Sequence, residues 1–116
     1  MRPESAIQRE VRHALAKAGF ASVHVPNGAV LAGDAQRRAR QMNALKADGL
    51  YPGFPDLLVY AGNGRIGHIE IKTPTGPIQE TQHRCRAWLE SLGHKYAICR
   101  DKDEVCSILI EWGWLK

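Results

Sequence analysis

Two neighbouring runs, Gly53-Phe54-Pro55-Asp56-Leu57-Leu58-Val59-Tyr60 and Gly67-His68-Ile69-Glu70-Ile71-Lys72, constrain this chain more than any other part of it. The first is an apolar run that opens on an aspartate behind a proline; the second alternates polar residues with isoleucines. Between them Ala61-Gly62-Asn63-Gly64 has the composition of a tight turn, so the runs are expected to pair as a β-hairpin. Successive side chains of a strand point to opposite faces. Glu70 and Lys72 therefore share one face, and Ile69 and Ile71 the other. The isoleucines anchor the hairpin in a core, while Asp56, Glu70 and Lys72 meet at one end of it.

Two carboxylates beside an ammonium suit metal-assisted phosphodiester hydrolysis. Carboxylate oxygens are hard donors, and one or two of them are the usual protein contribution to a Mg²⁺ or Mn²⁺ site. A metal held there lowers the pKa of a bound water and steadies charge on a phosphate. Lys72 stands where it can orient or activate that water. An isolated Glu-x-Lys triplet is usually a solvent-facing ion pair; the aspartate behind Gly-x-Pro, one hairpin upstream, shifts the reading toward chemistry.

At 116 residues the chain has the length of one domain, residues 1–116, with a single hydrophobic core. Sixteen basic residues against twelve acidic ones leave a net charge of +4, which favours a polyanionic partner. No stretch approaches the length of a membrane-spanning helix, and the polar N-terminus lacks the apolar region of a signal peptide. The three cysteines, Cys85, Cys99 and Cys106, are odd in number and lack C-x-x-C spacing, which argues against a disulfide framework or structural zinc. They read as small buried hydrophobes in a reducing cytoplasm.

Residues 3–18 have helical periodicity in Ile7, Val11, Ala14, Leu15 and Ala18, with Gly19 as terminator. Glu4 falls inside that apolar stripe and Glu10 at its edge. Glu4 either favours the helix dipole at the N-terminus or turns inward over the strands. Phe20 to Val25 reads as a strand broken by Pro26-Asn27-Gly28, in which Asn27 is first of all a turn residue. Asp34 is placed to cap a helix running to Ala47, with Ala35, Ala39, Met42 and Leu45 as its packing stripe. On this helix Arg37, Arg38 and Arg40 either form a solvated face or meet a DNA backbone.

Thr73-Pro74-Thr75-Gly76-Pro77 is a rigid turn that cannot continue a strand. A helix follows over 79–92, with Cys85, Leu89 and Leu92 inward and Gln82 one turn ahead on nearly the same side. A glutamine buried there needs a partner, in the adjacent loop or in a site. Residues 95–99 form a last strand and 102–112 a closing helix. Of that helix and its tail, Leu109, Trp112, Trp114 and Leu115 belong either to the core or to an interface between copies.

Asp56 and Glu70-Ile71-Lys72, with Pro55 ahead of the aspartate, resemble the motif of the PD-(D/E)XK nuclease superfamily. An ordered series is more closely similar to the VRR-NUC family, the virus-type replication-repair nucleases. It comprises Glu4 to Gln8, Val25-Pro26-Asn27-Gly28, Gly49 through Leu58, Glu70-Ile71-Lys72, and Gln82 in a Trp-containing helix, and so spans nearly the whole chain. With the second helix an insertion and the last an addition, the element order becomes α-β-β-β-α-β, the restriction-endonuclease-like core. A mixed central sheet with helices on both faces is expected.

The resemblance implies a Mg²⁺- or Mn²⁺-dependent DNA endonuclease. Asp56 and Glu70 would bind the metal, with the Ile71 carbonyl as a further ligand, its backbone fixed by a side chain committed to the core. Lys72 would position or activate water, and Glu4 would act on a second metal or through a water. Gln82 and Asn27 join the site more weakly, Asn27 with its amide either toward the substrate phosphate or in support of the site. Family members that are little more than the bare domain resemble Holliday-junction resolvases and act as homodimers, which points to branched DNA, a four-way junction, in a bacterial or phage-infected cytoplasm. Two alternatives stay open: a nucleic-acid-binding module that keeps the fold without cleavage, and a nuclease of flap, nick or restriction type.

Overall fold

The computed structural model describes residues 2–26 and 31–116; Asn27 lies outside the described residues. The order is α1 (Glu4–Lys17), β1 (Ala21–His24), α2 (Ala35–Ala47), β2 (Leu57–Ala61), β3 (Arg65–Ile71), α3 (Glu80–Ser91), β4 (Lys95–Cys99) and α4 (Val105–Glu111), the last entered through a short 3-10 turn at Lys102–Glu104. The expected α-β-β-β-α-β order is present, with α2 inserted and α4 added. The strands form one mixed sheet in the order β1-β2-β3-β4. β1 and β2 are antiparallel, β2 and β3 are the expected hairpin, and β3 runs parallel to β4 across the α3 crossover.

Alternation along the strands sorts the sheet into two faces. Leu57 and Val59 of β2, Ile69 and Ile71 of β3 and Cys99 of β4 meet Ile7, Val11 and Leu15 of α1 and Val105, Ile108 and Leu109 of α4 in the main core. The opposite face carries α3, where Cys85 and Leu89 close over Tyr96 with Phe54 and Ile98 beside them. Because β3 is covered on both sides, its second face is buried as well: His68, Glu70 and Lys72 are the buried polar residues of the described chain. Charge has been carried into the interior by the strand's own alternation.

Three expectations need correction. Leu92, expected inward, stands exposed at the end of α3. Cys106 is exposed and not buried, and the α2 stripe is unpacked. The choice left open for Trp112 and Leu109 also closes. Trp112 and Leu109 belong to the core and not to an interface, because β3 leaves room for the indole. A Cβ on Gly67 would lie 2.4 Å from the Trp112 ring and 3.0 Å from Trp114, so only glycine lets the tail of the chain close on the sheet. Of the α2 stripe, Met42 and Leu45 are half-buried, Ala35 and Ala39 are exposed, and α2 buries none of its residues. Two alanines and two longer side chains present too little apolar area to hold that face against a partner. Its N-cap is as expected, with Asp34 Oδ1 accepting from the Arg37 N–H at 2.8 Å. No helix among the described residues is long and apolar enough to cross a membrane.

Candidate active site

Asp56 stands one residue ahead of β2, behind the fully buried Pro55, and its position is fixed from three directions. Its carbonyl accepts from the Val25 N–H at 2.8 Å and lies 3.0 Å from His24 Nδ1. Its Oδ2 accepts from the Ile71 N–H at 2.8 Å, across the hairpin. The carboxylate is thereby tied to the middle residue of the Glu-Ile-Lys triplet. Ile71 is held in turn by its buried side chain.

Glu70 and Lys72 project from β3 and its end toward α3. The Lys72 ammonium is 4.0 Å from Glu70 Oε2, and the Lys72 N–H donates to the Cys99 carbonyl at 3.1 Å, extending the β3–β4 pairing by one residue. Just beyond, one guanidinium nitrogen of Arg100 donates to the carbonyls of Thr73 at 2.6 Å and Gly76 at 2.9 Å. The turn after the lysine is therefore clamped.

Gln82 answers the question that its burial raised. Its Nε2 donates to Glu70 Oε2 at 2.9 Å, while its Oε1 accepts from the Gln79 N–H at 2.8 Å as part of a capping box at the start of α3. One amide thus caps the helix and holds the acid. The start of α3 comes this close because Gly53 has no side chain. With φ of +81°, a Cβ there would lie 2.4 Å from the Thr81 carbonyl carbon and oxygen and 2.7 Å from the Gln82 nitrogen. The glycine of the Gly-Phe-Pro-Asp run therefore seats the helix that presents Gln82.

These groups line one cleft of about 490 Å³, which Glu4, His24 and Thr81 complete. Glu4, in the first turn of α1, is solvent-exposed and reaches the cleft from the side. Among the described residues no three His, Cys, Asp or Glu side chains come close enough to hold a metal ion by themselves, so Glu4 does not close a cluster with Asp56 and Glu70. Glu10, its alternative on α1, faces away to Arg2 and to Lys102, the latter at 3.6 Å. Arg37, Arg38 and Arg40 are exposed on α2 and line no part of the cleft.

His24 escaped the sequence reading. Its signal was faint: a polar ring at the end of a strand, directly before the Val25-Pro26 turn.

Burial raises the Glu70 carboxyl from 4.5 to about 8, and the nearby Asp56 charge adds to the rise; Lys72 pulls the other way without offsetting them. A carboxyl that keeps its proton at neutral pH beside a second carboxylate is a ligand set short of positive charge. Two carboxylates and the Ile71 carbonyl are hard oxygen donors, the chemistry that Mg²⁺ and Mn²⁺ prefer. The residues fit such an ion.

A mixed sheet of this order, with aspartate, glutamate and lysine converging at one cleft, defines a nuclease-type α/β domain. The chain belongs to the VRR-NUC domain family, whose model matches residues 2–103. A solved structure described as a VRR_NUC domain protein is 18% identical with a TM-score of 0.70, over 97% of this chain and 90% of that one. Another, described as a VRR_NUC domain, is 18% identical with a TM-score of 0.60, over 93% of this chain and 94% of the other. At that identity the likeness is one of fold. No curated protein matches the sequence.

Proposed function

We propose that this chain is a Mg²⁺- or Mn²⁺-dependent endonuclease that hydrolyses phosphodiester bonds in branched DNA, with a four-way junction as substrate and a homodimer as its working form. The observation that carries the reading is Glu70, a buried acid held by Gln82 and Lys72 beside an anchored Asp56. Asp56, Glu70 and the Ile71 carbonyl would hold the ion. When bound, it lowers the pKa of a water and offsets charge building on the phosphate.

The protein's own groups supply orientation. Asp56 is locked by the Ile71 N–H and Glu70 by the Gln82 amide, so neither carboxylate has to be ordered when substrate arrives. Lys72, fixed through its backbone to Cys99, directs its ammonium into the cleft, where it orients the attacking water beside the phosphate. Glu4 acts from the cleft wall through water. A module that only bound DNA would gain nothing from burying Glu70, since a carboxyl held out of water costs the fold stability as soon as pH rises far enough to ionise it. That supports cleavage over binding alone.

Symmetric cuts in a junction require equivalent sites related by a dyad, which a C₂ dimer supplies. Arg37, Arg38 and Arg40 contact the DNA backbone from α2; neutralising all three should flatten the salt dependence of binding, and an unchanged slope would show them to be solvated only. The setting is the cytoplasm of a bacterium or phage-infected host.

The decisive experiment is a cleavage panel of duplex, nicked, flap, fork and four-way junction DNA with Mg²⁺ or Mn²⁺, alongside sedimentation. Symmetric nicks on the junction by a dimer, lost together with Mn²⁺ binding in Asp56→Ala and Glu70→Ala, are expected. A monomer that cuts linear duplex as fast as junctions would end the junction reading and leave the nuclease standing.

A further inference from the structure

Tyr51 and Trp88 stack almost parallel on the outside of the protein, ring centroids 4.8 Å apart and planes 7° apart. Both stay open to solvent, Trp88 at 42% and Tyr51 at 37% exposure. The cleft does not use them, and neither belongs to a core cluster.

Their placement relates them to the cleft. Thr81, Arg84 and Trp88 recur at helical spacing on one side of α3. Thr81 lines the catalytic cleft, and Trp88 stands two turns further along the helix, about 10 Å away at 1.5 Å per residue. That is roughly three base steps of a stacked strand, at about 3.4 Å each. An apolar recess of about 270 Å³ lies among Val25, Gly49, Tyr51, Phe54 and Trp88. Phe54 also lines the cleft, so the recess and the cleft share a wall. A second recess of about 310 Å³ adjoins Tyr51, Pro52 and Thr81, with Lys46 and Arg84 as its charged lining and no acid among them. Arg84 also pairs with Glu80 at 3.3 Å on the exposed helix surface, a solvent-exposed pair weak enough for a phosphate to compete for the guanidinium.

Flat aromatic faces beside cations, continuous with a phosphodiester-cutting cleft, call for a ligand with a planar ring and a nearby negative charge. A base in a matched duplex has both faces covered by its neighbours. Only an unpaired or splayed base offers one to a side chain, and stacking of this kind tolerates any base because each has a π-face.

We infer that Tyr51 and Trp88 form a stacking platform for an unpaired base of the strand engaged in the cleft, with Lys46 and Arg84 meeting the phosphates on either side. The inference rests on the nuclease reading and adds to it the substrate feature that is read: unstacked bases within a few nucleotides of the cut.

The test measures binding of the full chain in EDTA to three labelled probes: an oligothymidine strand, the same strand with abasic sites, and a matched duplex. The abasic strand keeps every phosphate and removes only the rings. The parent should bind the thymidine strand at least about tenfold more tightly than the abasic one, the scale of base–aromatic stacking. Trp88→Ala and Tyr51→Ala should each collapse that difference, Trp88→Phe should keep most of it, and the salt slope should stay unchanged because no phosphate contact is removed. A parent that binds thymidine and abasic strands alike, or a folded Trp88→Ala protein that still tells them apart, overturns the platform. Should Trp88→Ala fail to fold, Tyr51→Ala and the parent's own comparison decide. A parent that cuts DNA with Mn²⁺ yet ignores the bases loses the platform alone. A parent that neither binds nor cuts DNA loses the nuclease reading with it.

Discussion

Replacing Glu70 by glutamine should stabilise the metal-free protein, and by an amount that grows with pH. Glu70 is only 5% exposed, and its carboxyl titrates at about 8 in the fold against 4.5 for the ordinary group. A carboxyl whose folded pKa is raised favours the fold while it keeps its proton. Its contribution is complete below about pH 4.5 and is lost as pH rises through about 8. At about 1.36 kcal/mol for each tenfold change in proton affinity, the loss is on the order of 5 kcal/mol, a large part of the 5–15 kcal/mol typical of a domain.

Glutamine has nearly the same shape, keeps an oxygen for the Gln82 amide, and carries no charge at any pH. Urea unfolding of both proteins in EDTA at pH 5, 7 and 9 isolates the effect, because the other ionisable groups are common to both. The variant should match the parent closely at pH 5 and exceed it by several kcal/mol at pH 9, with equal denaturant slopes. Mn²⁺ should recover the parent, by about 2.7 kcal/mol at a hundredfold excess over Kd, and leave the variant nearly unmoved. A stability difference of the same size at pH 5 and pH 9 would refute the reasoning, since a buried charge is the only source of pH dependence it invokes.

Lys72→Ala should retain DNA and metal binding but lose more than tenfold in single-turnover cleavage, about 1.4 kcal/mol of barrier, and Lys72→Arg should not recover it, because a planar guanidinium differs from a compact ammonium; a smaller loss would remove Lys72 from the chemistry. Gly53→Ala should cost more than about 1 kcal/mol in thermal unfolding, since φ is +81° and its Cβ meets the Thr81 backbone, and it should lower cleavage through Gln82; wild-type stability and rate together would contradict the close seating. His68 is 1% exposed, its Nε2 is 2.9 Å from His94 Nδ1, and its own Nδ1 has no hydrogen-bond partner among the described residues. Burial, and then His94, lower its pKa from 6.5 to about 4. The sign is opposite to that of Glu70: the contribution is complete above pH 6.5 and is lost as pH falls through 4, roughly 3 kcal/mol in all. His68→Phe should flatten that acid limb of the stability curve, and an unchanged limb would assign the acid loss to other groups.

The hairpin, the terminal helices and the burial of Ile69 and Ile71 were legible because they follow from local periodicity. Asp56 and Glu70 were legible for the same reason, since a short hairpin fixes which residues meet. What escaped depended on distant partners. His24 approaches the Asp56 carbonyl, far along the chain, and nothing in its own neighbourhood announces it. Trp112 could be read as core or as interface, and the choice between them turned on a distant partner, the missing Cβ at Gly67 of β3. The α2 stripe had the right spacing, yet periodicity states which side of a helix is apolar and not whether anything lies opposite.

The route of the chain through the sheet orders the site in time. Asp56 and Ile71 meet through a hairpin closed by Gly62, Asn63 and Gly64, a type of element that forms in microseconds. Gln82 reaches Glu70 only once α3 has folded back within the parallel β3–α3–β4 unit, a longer closure and a slower one. The carboxylates should therefore meet while water still surrounds them, with the cost of drying Glu70 falling on the docking of α3. A divalent cation supplied during refolding would act on that later step, hastening the arrival of α3 and leaving the closing of the hairpin as it was.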